Sequence, residues 1–371
     1  MSDRIFNFSA GPAVLPEAVL RQAQKDLWDI DGSGIGILEH SHRGKVFDRI
    51  TAQTEADCRE IAGISDDYAV FWMQGGATSQ CYFVPANFLP EGRTADYFKT
   101  GKWAKDSIKE VPLYGSCHVC GSSEDTNFSY IPTGDQVKHS DNPVYVHYTS
   151  NNTIMGTQFR QPPTPPKGEG GGVFLVNDAS SDIFSRPIDI NAHGLIYAGA
   201  QKNLGPSGIT LVIARRDLIE TAARPLPEMM KFSNHANKEG RFNTPNTFGV
   251  YLMGQVFKWI MAQGGLKGVQ EMNEDKAAVL YDFLDSQDYY TPHATTESRS
   301  LMNITFKCPT PELDKLFTNQ AAAKGLDALT GHRMINGMRA SIYNAFPKAG
   351  CEALVSFMKE FTREHAASAK A

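Results

Sequence analysis

The feature that most constrains this chain is the alternation of helix-like and strand-like segments over its first 262 residues. Apolar residues recur at helical spacing in Glu17–Trp28, Val46–Ala62 and Gly249–Ala262. Short apolar runs between them indicate buried strands, which lie at Ala69–Met73, Tyr97–Lys99, Val144–Tyr148, Val173–Asn177, Leu195–Ala198 and Ile209–Ala214. This alternation predicts an α/β fold with a largely parallel sheet between helices.

The pattern changes beyond residue 260. Helical segments are predicted at Leu266–Leu284, Pro311–Ala323 and Ala349–His365, with strands at Leu301–Phe306 and Arg339–Tyr343. The 371 residues also exceed the roughly 250 to 300 at which a single hydrophobic core stops growing. We therefore predict a large domain over residues 16–259 and a smaller C-terminal α+β domain over residues 260–371.

Composition excludes several classes of function. The 36 Lys+Arg residues against 41 Asp+Glu residues give a net charge of −5, which leaves no broad basic field for nucleic acid or anionic lipid. Apolar runs are of strand length, and residues 1–16 lack the apolar stretch of a signal peptide. Six scattered cysteines are too sparse for a disulfide framework. These observations predict a cytoplasmic protein with reduced thiols.

One cysteine pair has the spacing of half a zinc site. Cys117-His118-Val119-Cys120 is not accompanied by a second such pair or by a histidine pair at metal-site spacing. The surrounding stretch, residues 114–127, is rich in Gly, Ser and Asp, and we expect it to be irregular. No metal site is predicted.

The most informative pair of residues is Asp178 and Lys202. Each follows a predicted strand, and open α/β sheets place their ligands at strand ends. A lysine and a carboxylate in these positions suit pyridoxal phosphate, because the lysine can form a Schiff base while the carboxylate keeps the pyridine nitrogen protonated. A structural ion pair remains the alternative from spacing alone.

A candidate phosphate site follows the first predicted strand of the sheet. Gly75-Gly76-Ala77-Thr78 leads from that strand into a helical segment, where backbone N–H groups and the helix dipole favour anions. Neither a dinucleotide-binding nor a P-loop glycine motif occurs there. The turn could also serve only to reverse the chain.

Two His-Arg doublets supply local positive charge in an acidic chain. They are His42-Arg43 and His332-Arg333, and Arg339 follows the second. Because the guanidinium fork matches carboxylate and phosphate, we expect a substrate that carries both groups. Singly, each arginine could be an ordinary surface residue.

Five short segments occur in an order that is specific to one family. They are Asn7-Phe8-Ser9-Ala10-Gly11-Pro12-Ala13, Ser41-His42-Arg43-Gly44-Lys45, Ala198-Gly199-Ala200-Gln201-Lys202-Asn203, Phe242-Asn243-Thr244-Pro245 and Gly337-Met338-Arg339-Ala340-Ser341-Ile342-Tyr343-Asn344. From residue 5 to about 361 the chain resembles the phosphoserine aminotransferases, which are class V, fold type I pyridoxal phosphate enzymes. The resemblance implies a seven-stranded, mostly parallel sheet in the large domain, the segment 1–15 near the active site, and a homodimer with shared active sites.

The resemblance also implies a role for individual positions. Lys202 and Asp178 would be the catalytic residues, Trp103 would stack on the cofactor ring, and Thr153 would bind the phenolic oxygen. The cofactor phosphate would be held by Ala77, Thr78 and Gln201, with Asn243 and Thr244 from the other subunit. The substrate residues would be Ser9, His42, Arg43, His332, Arg333 and Arg339. Two positions depart from the family pattern, namely the Ala77-Thr78-Ser79 loop and Asn152, which stands where glutamate is common.

The implied reaction is transfer of an amino group from L-glutamate to 3-phosphohydroxypyruvate, which gives O-phospho-L-serine and 2-oxoglutarate. This reaction belongs to serine biosynthesis, and the family suggests a side role in pyridoxine biosynthesis. The alternatives are another class V aminotransferase, acting on serine, alanine or glyoxylate, and a non-catalytic metabolite sensor on the same fold. Both His-Arg doublets disfavour the first, and retention of Lys202 with Asp178 disfavours the second.

Overall fold

The computed structural model describes residues 4–168 and 172–365, so the outermost residues of the predicted segments 1–15 and 260–371 lie outside it. Ten α-helices occur in the described residues: α1 Glu17–Asp26, α2 Lys45–Ala62, α3 Gln80–Phe88, α4 Lys102–Glu110, α5 Arg216–Ile219, α6 Phe232–Ala236, α7 Thr247–Ala262, α8 Gly265–Asp285, α9 Pro311–Ala323 and α10 Lys348–His365. None of them is both long and apolar enough to cross a membrane.

The same residues form fourteen strands, several of them only two residues long. They are β1 Phe6–Asn7, β2 Tyr68–Gln74, β3 Thr94–Lys99, β4 Ser116–Ser122, β5 Tyr145–Thr149, β6 Asn151–Asn152, β7 Thr157–Gln158, β8 Phe174–Asp178, β9 His193–Gly199, β10 Ile209–Arg215, β11 Thr291–Pro292, β12 Asn303–Lys307, β13 Leu326–Asp327 and β14 Met338–Ser341.

Seven strands form the central sheet, in the order β2-β10-β9-β8-β5-β3-β4. Only β10 runs antiparallel to its neighbours, β2 and β9, and the remaining pairs are parallel. The predicted mostly parallel, seven-stranded α/β fold is confirmed. The carboxyl ends of β2, β3, β5, β8 and β9 consequently meet at one edge of the sheet, which is where such folds bind ligands.

The seventh strand corrects one expectation. Residues 114–127 were expected to be irregular, but Ser116–Ser122 forms β4, which pairs in parallel with β3 at the sheet edge. An edge strand needs a partner on one side only, so a run containing Gly and Ser can still pair there. The six other strands of this sheet were predicted at nearly their observed positions.

Both faces of the sheet are covered, because its strands are apolar on both sides. Tyr68, Val70 and Trp72 of β2 pack into a core with helices α1, α2 and α7, whereas the alternate residues of β2 pack with α3 and α6 on the other face. A separate core joins α9, α10 and the three-stranded sheet β11-β12-β14. Helix α8 contributes Leu266 and Val269 to the first core and its second half to the last, and the boundary at 259/260 stays a prediction.

Candidate active site

Four predicted site residues meet where the carboxyl ends of the parallel strands meet. Asp178 is the last residue of β8, and Lys202 comes three residues after β9. Thr153 follows β6, directly beyond the end of β5, and Trp103 is the second residue of α4, which follows β3. Sheet topology thus brings together residues that lie up to 99 positions apart in the sequence.

Lys202 points its amine into this group. Nζ donates a hydrogen bond of 2.7 Å to Thr153 Oγ1 and lies 5.8 Å from the centroid of the Trp103 ring. Burial, helped by the nearby charge of Arg339 and opposed by the charges of Asp178 and Asp182, lowers the pKa of Lys202 to about 8. The lowered pKa increases the unprotonated fraction of the amine near neutral pH, so Lys202 is a usable nucleophile.

The N-terminal segment backs the Lys202 stem. A Cβ on Gly11 would lie 3.3 Å from Lys202 Cγ, and Gly11 has a φ of 137°, so only glycine suits this position. Ala13 donates its N–H to the Gln201 carbonyl at 2.9 Å. The Phe8 carbonyl accepts from Ser341 of β14, which brings the partly buried Ser9 alongside that strand.

Asp178 is held by a serine that the sequence interpretation did not single out. Ser180 donates to Asp178 Oδ1 through its hydroxyl at 2.6 Å and through its N–H at 3.1 Å, and Ser180 Oγ accepts from the Gly199 N–H at 3.1 Å. Burial raises the pKa of Asp178, while Ser180 and Lys202 work against that rise. The serine, two residues beyond the aspartate, could have been recognised as a local side-chain turn.

The turn that carries Thr153 is fixed by close packing. Asn152 is buried and donates to Thr157 Oγ1 at 3.1 Å, and a Cβ on Gly101 would lie only 2.8 Å from Asn152 Oδ1. Gly101 therefore permits the loop before Trp103 to contact the loop before Thr153. Asn152, noted above as a departure from the family pattern, has a defined packing role.

The glycine turn after β2 lies beside Gly199 and Gln201, which precede Lys202 in the sequence. Ala77–Ser79 forms one turn of 3-10 helix that runs into α3, and Gly199 packs against both Ala77 and the Gln201 side chain. Among the residues that the structure describes, Gln201 Oε1 is buried and has no hydrogen-bond partner. Ala77 and the Gln201 side chain thus both lie beside Gly199, and Thr78 follows Ala77 in the same turn.

Arg339 and His332 lie on the side of the small sheet. Arg339 is a partly buried residue of β14, and its buried Nε has no hydrogen-bond partner in the described part of the chain. Burial lowers the pKa of His332, and the charges of Arg339, Arg333 and Lys102 lower it further. His332 and the exposed Arg333 belong to a loop closed by a hydrogen bond from Gly331 to Gly337.

Hydrophobic packing fixes that loop against the Thr153 turn. Met334 and Ile335 pack on Phe128, Ile154 and Met155, the last two of which directly follow Thr153. Tyr343, which sequence reasoning missed, links the N-terminal segment to strand β12. Its hydroxyl donates to the Ala10 carbonyl at 2.9 Å and accepts from Asn303.

Four predicted residues are not joined to Lys202 within the chain. In the described ranges, the side chains of His42 and Arg43, just before α2, make no hydrogen bond or ion pair, and His42 Nε2 is buried without a partner. Thr244 is exposed, and its carbonyl accepts from Gln74 at the end of β2, with Asn243 beside it. Their assignment to a neighbouring subunit's site stays a prediction.

A cluster of possible metal ligands lies outside this site, at the neighbouring strands β3 and β4. Asp96, Cys120 and His139 offer atoms within 4.8 Å of one another. The Asp96 carboxylate already accepts from Ser140 N, Ser140 Oγ and His139 Nδ1, the last at 2.8 Å. These bonds account for the burial of Asp96, and burial raises the pKa of the Cys120 thiol, which disfavours the thiolate that metals bind.

The residues around Lys202 fit pyridoxal phosphate by their chemistry. An amine of lowered pKa can bind the aldehyde, and a buried carboxylate can pair with a pyridinium nitrogen. The Trp103 ring offers a stacking face, and the turn at Ala77 before helix α3, which lies close to the Gln201 side chain, favours an anion.

Comparison with known proteins agrees with this chemistry. The aminotransferase class-V family model matches residues 5–354. The chain is 47% identical to a phosphoserine aminotransferase of Desulfotalea psychrophila, over 99% of this chain and 100% of the relative.

Solved structures agree as well. The fold matches phosphoserine aminotransferase from Bacillus circulans subsp. alkalophilus with a TM-score of 0.93 and 45% identity, covering 98% of this chain and 100% of that one. It also matches a pyridoxal phosphate-bound phosphoserine aminotransferase from Trichomonas vaginalis with a TM-score of 0.91 and 33% identity, covering 96% and 100%. The resemblance inferred from the five sequence segments is confirmed, and the chain belongs to the class V aminotransferases, within the phosphoserine aminotransferase family.

Proposed function

We propose that this chain transfers the amino group of L-glutamate to 3-phosphohydroxypyruvate, giving O-phospho-L-serine and 2-oxoglutarate. The observation that carries the proposal is the position of Lys202 Nζ, 2.7 Å from Thr153 Oγ1 and beside Trp103, in a chain that matches named phosphoserine aminotransferases over its full length. The reaction would serve serine biosynthesis. A side role in pyridoxine biosynthesis stays a prediction.

We assign cofactor binding mainly to the residues that lie at the strand ends. When bound, pyridoxal phosphate supplies an aldehyde that accepts the amino group and a ring that withdraws electrons from the substrate. Lys202 would bind the aldehyde, Asp178 would keep the ring nitrogen protonated, Thr153 would donate to the phenolic oxygen and Trp103 would stack on the ring. Ala77, Thr78 and Gln201 hold the phosphate, together with Asn243 and Thr244 of a neighbouring subunit.

The substrate-binding residues divide by the group that they recognise. Arg339 binds the α-carboxylate, because its partly buried guanidinium lies close enough to Lys202 to lower the pKa of that amine. His42, Arg43, His332 and Arg333 bind the distal group, which is a phosphate in one substrate and a carboxylate in the other. Ser9 lies beside the strand that carries Arg339 and contributes a hydroxyl.

Lys202 also moves the proton. With the cofactor bound and the amine displaced by the substrate, Nζ would be free to take the proton from the substrate Cα and to deliver it to C4′ of the cofactor, and a pKa of about 8 suits both transfers near neutral pH. Thr153 Oγ1, already within 2.7 Å, keeps the amine aimed at the site.

We also propose that the active unit is a homodimer. The segment before His42 and Arg43 exposes Trp28 at 87% and Leu38 at 60%, large apolar side chains that a second subunit would cover. Arg43 then reaches the partner's site. The six unpaired cysteines support the further proposal that the protein works in the cytoplasm.

Subunit exchange tests the shared site. Lys202→Ala and Arg43→Ala proteins should each be inactive, and a mixture that forms heterodimers should regain activity, because one site in each heterodimer escapes both changes. Heterodimers that are verified but inactive would show that Arg43 serves the site of its own chain.

A substrate comparison tests the reaction itself. Purified protein with pyridoxal phosphate should convert glutamate and 3-phosphohydroxypyruvate to O-phosphoserine, with a kcat/KM at least tenfold above that for unphosphorylated hydroxypyruvate. Preference for alanine or glyoxylate would identify another class V aminotransferase. Binding of the phosphorylated acceptor without turnover would instead identify a sensor.

A further inference from the structure

Asp182 is a buried carboxylate four residues beyond Asp178. Only 7% of its surface is exposed, and each carboxylate oxygen has its own donor. Ser150 Oγ donates to Oδ1, and Gln158 Nε2 donates to Oδ2 at 3.0 Å. Arg186 Nη2 lies 3.7 Å from Oδ2 and balances the charge.

The two donors flank the hairpin that carries Thr153. Ser150 directly precedes strand β6 and Gln158 ends strand β7, while Thr153 lies in the turn between them. Asp182 thereby links both legs of the hairpin through one rigid group. Since Thr153 Oγ1 accepts the hydrogen bond from Lys202, the link leads directly to the reactive amine.

Ser150 continues the link to Asp178. Its backbone N–H donates to the Asp178 carbonyl at 3.0 Å, and its hydroxyl lies 3.3 Å from the same oxygen. Displacing Ser150 would therefore shift the end of β8 as well as the hairpin.

Asp182 also affects Lys202 through its charge. Burial raises the pKa of Asp182, but Arg186, Ser150 and Gln158 favour its ionised form. The groups whose charges act on Lys202 are Asp178 and Asp182, which raise the pKa of the amine, and Arg339, which lowers it. Asp182 thus offsets part of the effect of Arg339.

We infer that Asp182 is a positioning residue, whose carboxylate holds the Thr153 hairpin and the Asp178 backbone in register with Lys202. This inference deepens the proposed function and rests on it for the catalytic consequence alone. The residue touches neither the Lys202 amine nor the groups assigned to substrate.

The first test uses cofactor-free protein, so it does not depend on the reaction. Lys202 is labelled with an amine-reactive reagent at several pH values, and the modified peptide is quantified by mass spectrometry. Asp182→Asn removes the negative charge at nearly constant volume, which lowers the pKa of Lys202. Labelling at pH 6.5 should therefore rise about 3-fold, because a larger fraction of the amine is unprotonated.

Two further variants separate charge from tethering. Ser150→Ala keeps the Asp182 charge but removes one arm of the link, so Lys202 labelling should stay near that of the wild type. Glu274→Gln removes an exposed carboxylate that borders the same cavity as Asp182, and it should change neither labelling nor turnover.

The second readout is turnover of the loaded enzyme. Asp182→Asn and Ser150→Ala should each lower kcat about tenfold while KM for glutamate stays within about twofold, because substrate contacts remain. Unchanged labelling in Asp182→Asn together with normal kcat in both variants would overturn the inference, as would an equal effect of Glu274→Gln. If Asp182→Asn does not fold, normal kcat in Ser150→Ala alone overturns it. A wild-type protein without amino-transfer activity would refute the proposed function and leave the labelling result standing.

Discussion

Arg339 offers the sharpest test of how the site divides its substrate contacts. The residue lies on β14, where its N–H bonds the Leu329 carbonyl, so strand pairing fixes the backbone independently of the side chain. Its Nε is buried and finds no partner within residues 4–168 and 172–365, and its charge acts on both Lys202 and His332. A guanidinium so placed is available to a ligand. We therefore predict that Arg339→Met impairs both half-reactions.

The expected magnitude follows from the lost contacts. A hydrogen bond between charged groups contributes about 1.5 to 3 kcal/mol, and about 1.4 kcal/mol corresponds to a factor of ten. Arg339→Met should lower kcat/KM roughly 10- to 150-fold for glutamate and for 3-phosphohydroxypyruvate alike. Loss of the positive charge also raises the pKa of Lys202 from about 8, so its unprotonated fraction falls and the rise of activity with pH moves to higher pH.

Steady-state kinetics with both substrates measure this effect. Arg333→Ala is the matched control, because it removes an exposed arginine assigned to the distal group. That variant should penalise 3-phosphohydroxypyruvate more than hydroxypyruvate, whereas Arg339→Met should penalise the two equally. A loss confined to the phosphorylated acceptor in Arg339→Met would refute the assignment of Arg339 to the α-carboxylate.

Three further variants test the support around the site. Lys276 is buried in α8 and donates to three backbone carbonyls in residues 342–344. Lys276→Met should therefore lower the free energy of unfolding, measured by urea unfolding, by about 2 to 5 kcal/mol. An unchanged unfolding midpoint would contradict this role. Gly101→Ala places a Cβ 2.8 Å from Asn152 Oδ1, so it should lower the free energy of unfolding by about 1 to 3 kcal/mol and reduce kcat. A fully stable and active variant would show that the loop can move to make room for the methyl group. Asp178→Asn should keep the cofactor, by absorbance, yet lose most amino transfer, and near-normal turnover would remove Asp178 from its role.

Much of the fold was predictable because its strands are apolar and short. The runs at Ala69–Met73 and Ile209–Ala214 lie within β2 and β10, where both faces are buried. Strand β4 was missed because Ser116–Ser122 lies at the sheet edge and is partly exposed, so no apolar run marks it. Local sequence does not encode a pairing that depends on the neighbouring strand.

The residues of the site also divide into those that the sequence predicts and those that depend on tertiary contacts. Lys202 and Asp178 could be inferred because each comes at the end of an apolar strand and because their context matches a family. Ser180 could have been recognised from its place two residues beyond Asp178, but Tyr343 and Asp182 could not, since their importance lies in contacts such as that of Tyr343 with Ala10, across 333 positions of sequence. The Lys202–Thr153 hydrogen bond likewise depends on the order of β5, β8 and β9 in the sheet.

The central claim is that Lys202 carries the cofactor. Borohydride reduction of the protein loaded with pyridoxal phosphate, followed by peptide mapping, tests it most directly. Lys276 is an internal control, because it is also buried and its pKa is lowered to about 7, but its amine is occupied by backbone carbonyls. We predict that the pyridoxyl group is found on the peptide containing Lys202 and is absent from Lys202→Ala protein. Its recovery on Lys276 or any other lysine, or on no lysine in protein that holds the cofactor, would contradict the account.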